Sequence, residues 1–343
     1  MASPIFRVLT PDAQYHDDAE VERETGAGRL DLVILREREA EAIPDHEWAS
    51  AEALLIWHEV PIDAAVVQKL ERCRVIVRTG VGFDHVDLAA AGRAGIPVCN
   101  TPDYGTSEVA DHAIALFLAL RRGLMSYQNA LIQDPVNGFH WGRAPLVKRV
   151  RGCRFGVLGL GRIGTATALR AKALGCEVIT FDPYLPRGQE IALGVRRLDS
   201  FHAFLGEAEV VSVHTPLTAE THNLLDEEAF AAMRPGALLI NTARGGVVDL
   251  HALLWALDSG QLAGCGLDVF PREPAEPNHP FWQAVREQPD GFRERVIVSP
   301  HAAWYSPESQ YDARRLSTET VLAYLSRGEL RNCVNEMFLE NPR

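Results

Sequence analysis

Short apolar runs alternate with amphipathic stretches through the N-terminal third of the chain, which is the pattern of strands alternating with helices. Pro4–Thr10, Leu30–Leu35, Ala53–Trp57, Arg74–Arg78 and Ile96–Cys99 read as strands. Ile62–Leu70 and positions 86–94 read as helices, so this part predicts a small parallel sheet. From Ser107 the pattern changes to a long apolar helix through Leu120, with Ser or Thr available as its N-cap and two arginines and a glycine closing it. A looser stretch over 133–150 leads to a strand ending at Gly159, a helix, and a second strand, Glu177–Asp182. Further strands are expected at Val210–His214, Ala237–Asn241, Gly264–Val269 and Val296–Ser299, separated by helices such as 247–259. The segment 302–343 is helical around Ser317–Leu325 and too short to stand alone, so it should return to the first sheet. The expected fold is α/β: two Rossmann-like or flavodoxin-like parallel-sheet domains with a cleft between them. Positions 1–102 with 302–343 form one domain and 103–301 the other.

The strand at Gly159 opens a G-x-G-x-x-G turn, Gly159-Leu160-Gly161-Arg162-Ile163-Gly164, in the strand–turn–helix–strand context of a dinucleotide fingerprint. Gly159 permits the turn, Gly161 lets backbone approach a pyrophosphate, and Gly164 lets the helix sit close on the strand. The helix start at Arg162 and Ile163 supplies N–H groups to the phosphates. Asp182 closes the second strand, where a carboxylate accepts from both ribose hydroxyls and repels a 2′-phosphate. The implied cofactor is therefore NAD rather than NADP.

A chain of 343 residues exceeds what one core usually organises, in keeping with two domains. A net charge of −12 argues against a nucleic-acid or anionic-membrane surface. No apolar run reaches the length of a membrane span, and the N-terminus lacks a signal-peptide pattern. The cysteines at 73, 99, 153, 176, 265 and 333 show no C-x-x-C pair. Buried, reduced thiols in a cytoplasmic protein are the expectation.

Four motifs fall at strand ends, where ligands bind in α/β sheets. Arg78-Thr79-Gly80-Val81-Gly82 either grips a carboxylate through adjacent N–H groups, with Arg78 adding charge, or is a plain glycine turn. Arg244, in Asn241–Gly246, either reaches a cleft to bind a carboxylate or makes a surface ion pair. The third and fourth, Leu267–Pro274 and Ser299–Tyr305, bring Glu273 and His301. A histidine oriented by a carboxylate moves one proton near neutral pH. His112, His140, His202, His222, His251 and His279 read as structural or surface residues, and His214 as shaping the cofactor turn.

Gly159–Gly164, Asn241–Gly246, Glu273 and Pro300-His301-Ala302-Ala303 together resemble the D-isomer-specific 2-hydroxyacid dehydrogenase family over about positions 53–335. Within it, Val77–Asp84, His301–Ser306 and Asn332–Asn335 resemble the branch of the C-terminal-binding proteins, NAD(H)-binding corepressors that retain dehydrogenase machinery. The resemblance implies an NAD-dependent enzyme interconverting a 2-oxo acid and a D-2-hydroxy acid. His301 would be the proton donor, Glu273 its partner, and Arg244 the carboxylate ligand. Val81 and Gly82 would add N–H groups. Thr215, Pro216, Thr221, Thr242, Ala243, Asp268 and Val109 would line the cofactor, with Asp268 near the carboxamide. Trp304 would meet the substrate tail, and Trp57 and His58 either share that pocket or, for Trp57, pack a hinge. No metal is implied. The segment 274–295 is expected to be a surface loop rather than a flap. A homodimer formed through the Ser107–Leu120 helix is expected. The rival reading is an NAD(H)-sensing interaction module, which the chain's end soon after Asn335 disfavours.

Overall fold

The computed structural model describes residues 4–287 and 292–339. The chain divides into two units, Met1–Gly105 with Tyr305–Arg343, and Thr106–Trp304. The two parallel sheets expected from the sequence are both present, one in each unit.

In the first unit, β1 (Phe6–Thr10), β2 (Leu30–Ile34), β3 (Ala53–Ile56), β4 (Val75–Arg78) and β5 (Val98–Cys99) pair in parallel in the order β2-β1-β3-β4-β5. Side chains alternate between faces along a strand. Leu9, Leu54, Ile56, Ile76 and Val98 therefore join one core cluster, while Val8, Leu55, Val75, Val77 and Cys99 join another. Both faces are covered, which is why β3 and β4 are unbroken apolar runs until Arg78. The helix expected at Ile62–Leu70 is shorter, Ala64–Lys69. Ile62 instead bridges Val86, and the Asp63 carboxylate caps the helix by accepting from Val66 N at 2.9 Å. The C-terminal helix is longer than its apolar periodicity suggests, Pro307–Arg327, because Ser306 and Ser309 form a capping box ahead of the periodic part. Its Val321, Tyr324 and Leu325 pack on the first sheet. Arg314 on the same helix is buried, pairs with Asp17 and Glu22, and lies 3.6 Å over the Tyr15 ring.

In the second unit, β6 (Arg154–Leu158), β7 (Glu177–Phe181), β8 (Arg196–Arg197), β9 (Val210–Val213), β10 (Ala237–Asn241), β11 (Leu262–Leu267) and β12 (Val296–Val298) form a parallel sheet ordered β12-β11-β10-β9-β6-β7-β8. The strand order reverses between β6 and β9, the doubly wound arrangement. β8 carries no apolar signal, being two arginines. Three expectations need correcting. The helix expected at 247–259 is a turn of 3-10 helix at Gly245–Val247 and a separate helix, Leu250–Asp258, because Asp249 caps the latter. The long helix starts at Thr106, so Ser107 lies inside its first turn. The segment 274–295 is no mere surface loop. It contains the helix Pro280–Glu287, whose Phe281 is fully buried in the core, with Trp282 against Phe270 at 4.9 Å. Positions 288–291 lie outside the described residues. Among the described residues no helix is long and apolar enough to cross a membrane.

Candidate active site

Because every strand of the second sheet runs parallel, all the loops that follow them leave one edge. Reading across from β7 to β12, that edge presents Asp182, Gly159–Gly164, Thr215 and Pro216, Thr242–Arg244, Asp268 with Glu273, and His301. Residues scattered over more than a hundred sequence positions thus become a row of neighbours.

The fingerprint end of the row is built for close approach. Gly159 has φ +89°, the left-handed region that a side chain disfavours. A Cβ on Gly164 would lie 2.0 Å from the Gly159 carbonyl oxygen, so only glycine lets the helix Arg162–Ala173 sit there. That helix begins with no side-chain cap, and the space beside Gly161 is open. Asp182 accepts from Leu160 N at 2.8 Å and from Tyr184 N at 2.9 Å, so the acid also braces the glycine loop. Thr215 Oγ1 and Thr242 Oγ1 are buried and lack partners among the described residues. Orphaned hydroxyls, an uncapped helix start and an acid at the second strand end fit a dinucleotide. Thr221 differs from this picture: its hydroxyl donates to Pro216 O at 2.6 Å and braces its own turn. Desolvation pushes His214 down to about 3, so this ring, bonded to Ser212 Oγ at 2.8 Å, brings no charge to the edge at neutral pH.

At the other end, His301 Nδ1 lies 2.6 Å from Glu273 Oε2, and Glu273 Oε1 accepts from Phe270 N at 2.9 Å. An ionised carboxylate only accepts, so the proton on this bond belongs to Nδ1. His301 sits at φ +53°, a conformation unusual for a non-glycine residue. Asp268 holds it there. Its carbonyl accepts from His301 N at 2.7 Å, and its carboxylate accepts from Ala302 N and Ala303 N, both at 2.9 Å. The acid is 1% exposed, which gives the residue expected near the carboxamide a structural task that the sequence did not reveal. Ser299 Oγ donates to Asp268 Oδ1 at 2.5 Å, and His112 Nε2 lies 2.9 Å from Ser299 Oγ. A hydroxyl has one proton, and Asp268 takes it, so His112 Nε2 must be the donor to Ser299. His112, read from sequence as structural or surface, therefore ends a relay to the His301 loop. A histidine on an amphipathic helix carries no local signal for that.

Arg244 follows β10 and is half-buried. Buried Asn241 shapes its turn, donating to Arg244 O at 2.9 Å and accepting from Ala243 N at 3.0 Å. Val109 is buried on the helix Thr106–Arg121, and Trp304 is half-buried.

The first unit holds the other expected substrate residues. Arg78, expected to offer charge to a substrate, is 5% exposed and folds back over its own loop, donating to Gly82 O at 2.9 Å and to Thr79 O. A buried guanidinium must satisfy its N–H groups, and these carbonyls accept from it. Val81 is exposed, and neither its N–H nor that of Gly82 has a partner among the described residues. Trp57 is buried with its ring 6.2 Å from that of Tyr15, and its backbone N–H donates to Asp12 Oδ1 at 2.8 Å. His58 Nδ1 lies 3.3 Å from the Gln14 amide.

Fold and site define a doubly wound α/β protein with a dinucleotide edge and a histidine–carboxylate pair. Residues 114–303, more than half of the chain, match the family described as D-isomer specific 2-hydroxyacid dehydrogenase, NAD binding domain, and the chain belongs to that family. It is 33% identical over 317 residues to the D-3-phosphoglycerate dehydrogenase of Archaeoglobus fulgidus, covering 92% of this chain and 55% of the relative. The chain spans little more than half the length of the curated relatives it matches. Among solved structures it is similar to the TT0316 protein from Thermus thermophilus (TM-score 0.81, 34% identity, covering 96% of this chain and 99% of that one). It is also similar to D-lactate dehydrogenase from Aquifex aeolicus complexed with NAD and lactic acid (TM-score 0.81, 30% identity, 93% and 95% covered).

Proposed function

We propose that this protein is an NAD-dependent oxidoreductase that interconverts a 2-oxo acid and a D-2-hydroxy acid. The observation that carries this reading is the His301–Glu273 bond of 2.6 Å on the edge that ends in the dinucleotide fingerprint. Bound NAD(H) supplies or accepts the hydride at the substrate carbon. His301 gives the carbonyl oxygen its proton from Nε2, while Glu273 fixes the ring through Nδ1 and stabilises the imidazolium. Arg244 binds the carboxylate and stabilises negative charge growing on the carbonyl oxygen. The Val81 and Gly82 N–H groups are read as further carboxylate donors. Asp182 accepts from the ribose hydroxyls, and the Arg162–Ile163 helix start meets the phosphates. Trp304 favours an apolar substrate tail. Within the family we assign the chain to the C-terminal-binding-protein-like branch, on the three motifs quoted above. The six cysteines, all unbridged, fit a cytoplasmic setting.

The test is NADH oxidation by purified protein against glyoxylate, hydroxypyruvate, phenylpyruvate and 4-methylthio-2-oxobutyrate. Fast turnover of one compound supports the enzyme. Tight NADH binding with slow turnover across the whole panel would replace it with the sensing-module reading.

We also propose a homodimer, through a different surface from the Ser107–Leu120 helix. The apolar face of the helix Thr106–Arg121 packs inside its own unit, with Ala113, Leu116, Phe117 and Leu120 in the core. Ile132, Val136, Phe139 and Trp141 are instead 74–82% exposed, and these make the better dimer contact. Sedimentation of Phe139→Asp should show monomer where the parent shows dimer; a parent that sediments as monomer rejects the proposal.

A further inference from the structure

Cys99 on β5 and Cys333 near the C-terminus are 234 positions apart in sequence, yet they face each other as an antiparallel bridge within the first unit. The hydrogen bonds flank the pair and do not join it: Asn100 N donates to Asn332 O at 3.1 Å, and Val334 N to Val98 O at 2.8 Å. This is the non-hydrogen-bonded type of antiparallel pair, in which Cα atoms approach to about 4.5 Å and side chains come closest. That spacing lies within the range a disulfide spans. The Cys333 thiol donates to Asn335 Oδ1 at 3.3 Å. Asn335 fixes the segment further, accepting from Val98 N at 2.8 Å and donating to Ile96 O at 3.0 Å. Cys99 is fully buried, whereas Cys333 is half-buried and reachable from water.

We infer that Cys99 and Cys333 form a redox-responsive thiol pair, which a hydroperoxide converts into a cross-strand disulfide fastening the C-terminal segment to β5. Cys333 is the attacking sulfur, since it is the more exposed one and the neighbouring Cys99 pushes its thiol down to about 7. Its thiolate attacks a peroxide oxygen, the O–O bond breaks, and hydroxide leaves to be protonated to water. The resulting sulfenic acid is then attacked by the Cys99 sulfur, which loses its proton as the S–O bond breaks and a second water departs. Two thiols and one hydrogen peroxide thus give one disulfide and two waters, with two electrons passing from sulfur to oxygen. The covalent loop so closed contains the entire second unit, Thr106–Trp304. This inference is independent of any turnover by the protein.

Cys153 and Cys176 make an internal comparison. Both are buried, at 2% and 8% exposure, and the Cys176 thiol donates to Val150 O at 3.6 Å. The experiment treats the reduced, full-length protein with hydrogen peroxide, alkylates the remaining thiols, and maps peptides by mass under non-reducing conditions. The expected result is a fall from six alkylated thiols to four, a peptide joining 99 to 333, and restoration of six by dithiothreitol. Fragments from a proteolytic nick between those positions should stay joined until reduced. C333S should keep all its remaining thiols under the same treatment. No thiol loss, a bridge at Cys153–Cys176, an overoxidised Cys333 without a bridge, or the same loss in C333S would each overturn the inference.

Discussion

Asp268 holds the backbone at His301 through three successive N–H groups: its carbonyl takes the His301 N–H at 2.7 Å, and its carboxylate takes those of Ala302 and Ala303. A left-handed conformation costs a non-glycine residue roughly 1–2 kcal/mol. Charge-assisted bonds of about 1.5–3 kcal/mol each outweigh that cost. The histidine's position is therefore set by a buried acid that need never touch the substrate.

Replacing His301 itself isolates the chemistry. His301→Ala should lower kcat for 2-oxo acid reduction by about 10²–10⁴-fold, the usual worth of a positioned proton donor. NADH affinity, followed by fluorescence titration, should remain close to normal. A variant that loses NADH binding instead would remove His301 from the role of donor.

The relay behind Asp268 makes a sharper demand. His112→Leu removes the donor to Ser299 and should reduce kcat about tenfold with little change in NADH affinity, while His112→Gln keeps an N–H donor and should recover much of the loss. Ser299→Ala should give a similar drop, and the double variant should be no worse than either single one, as for residues in one network. Strictly additive effects from steady-state kinetics would show that the two side chains act separately.

Asp182 contributes a charge and also a brace for Leu160 N, so truncating it to alanine would confuse two effects. Asp182→Asn retains an acceptor for that N–H. It should weaken NADH by about 10–100-fold, as expected for losing charge-assisted bonds to ribose, and should narrow the preference over NADPH. An unchanged ratio of the two KM values would contradict the ribose role.

The first unit carries its own pH dependence. The hydrogen bonds from Arg314 hold Asp17 at about 2, below its ordinary 3.8. A carboxylate depressed on folding adds stability that is complete above pH 3.8 and is lost as pH falls through about 2. Urea midpoints should therefore fall more steeply between pH 4 and 2 in the parent than in Asp17→Asn. Arg314→Met leaves Glu22 buried without its partner and should cost about 3–5 kcal/mol at neutral pH.

The sequence by itself determined what depends on neighbours along the chain. Unbroken apolar runs specified strands buried on both faces, because successive side chains in a strand point to opposite faces. The fingerprint from Gly159 to Asp182 was legible because a turn, a helix start and a strand end act over adjacent positions. Glu273 and His301 could be named as residues suited to proton transfer, but nothing along the chain sets the distance between them. Tertiary structure alone decided the rest. Phe281 lies in a segment rich in proline, yet it is buried because the core offers it a place. Arg78 turns back on its own loop because a buried guanidinium must find acceptors. His112 meets Ser299 across 187 positions, and Cys99 meets Cys333 across 234. Such contacts arise when a sheet gathers its strand ends along one edge, or when a distant segment pairs with a strand, and no local pattern of residues encodes either.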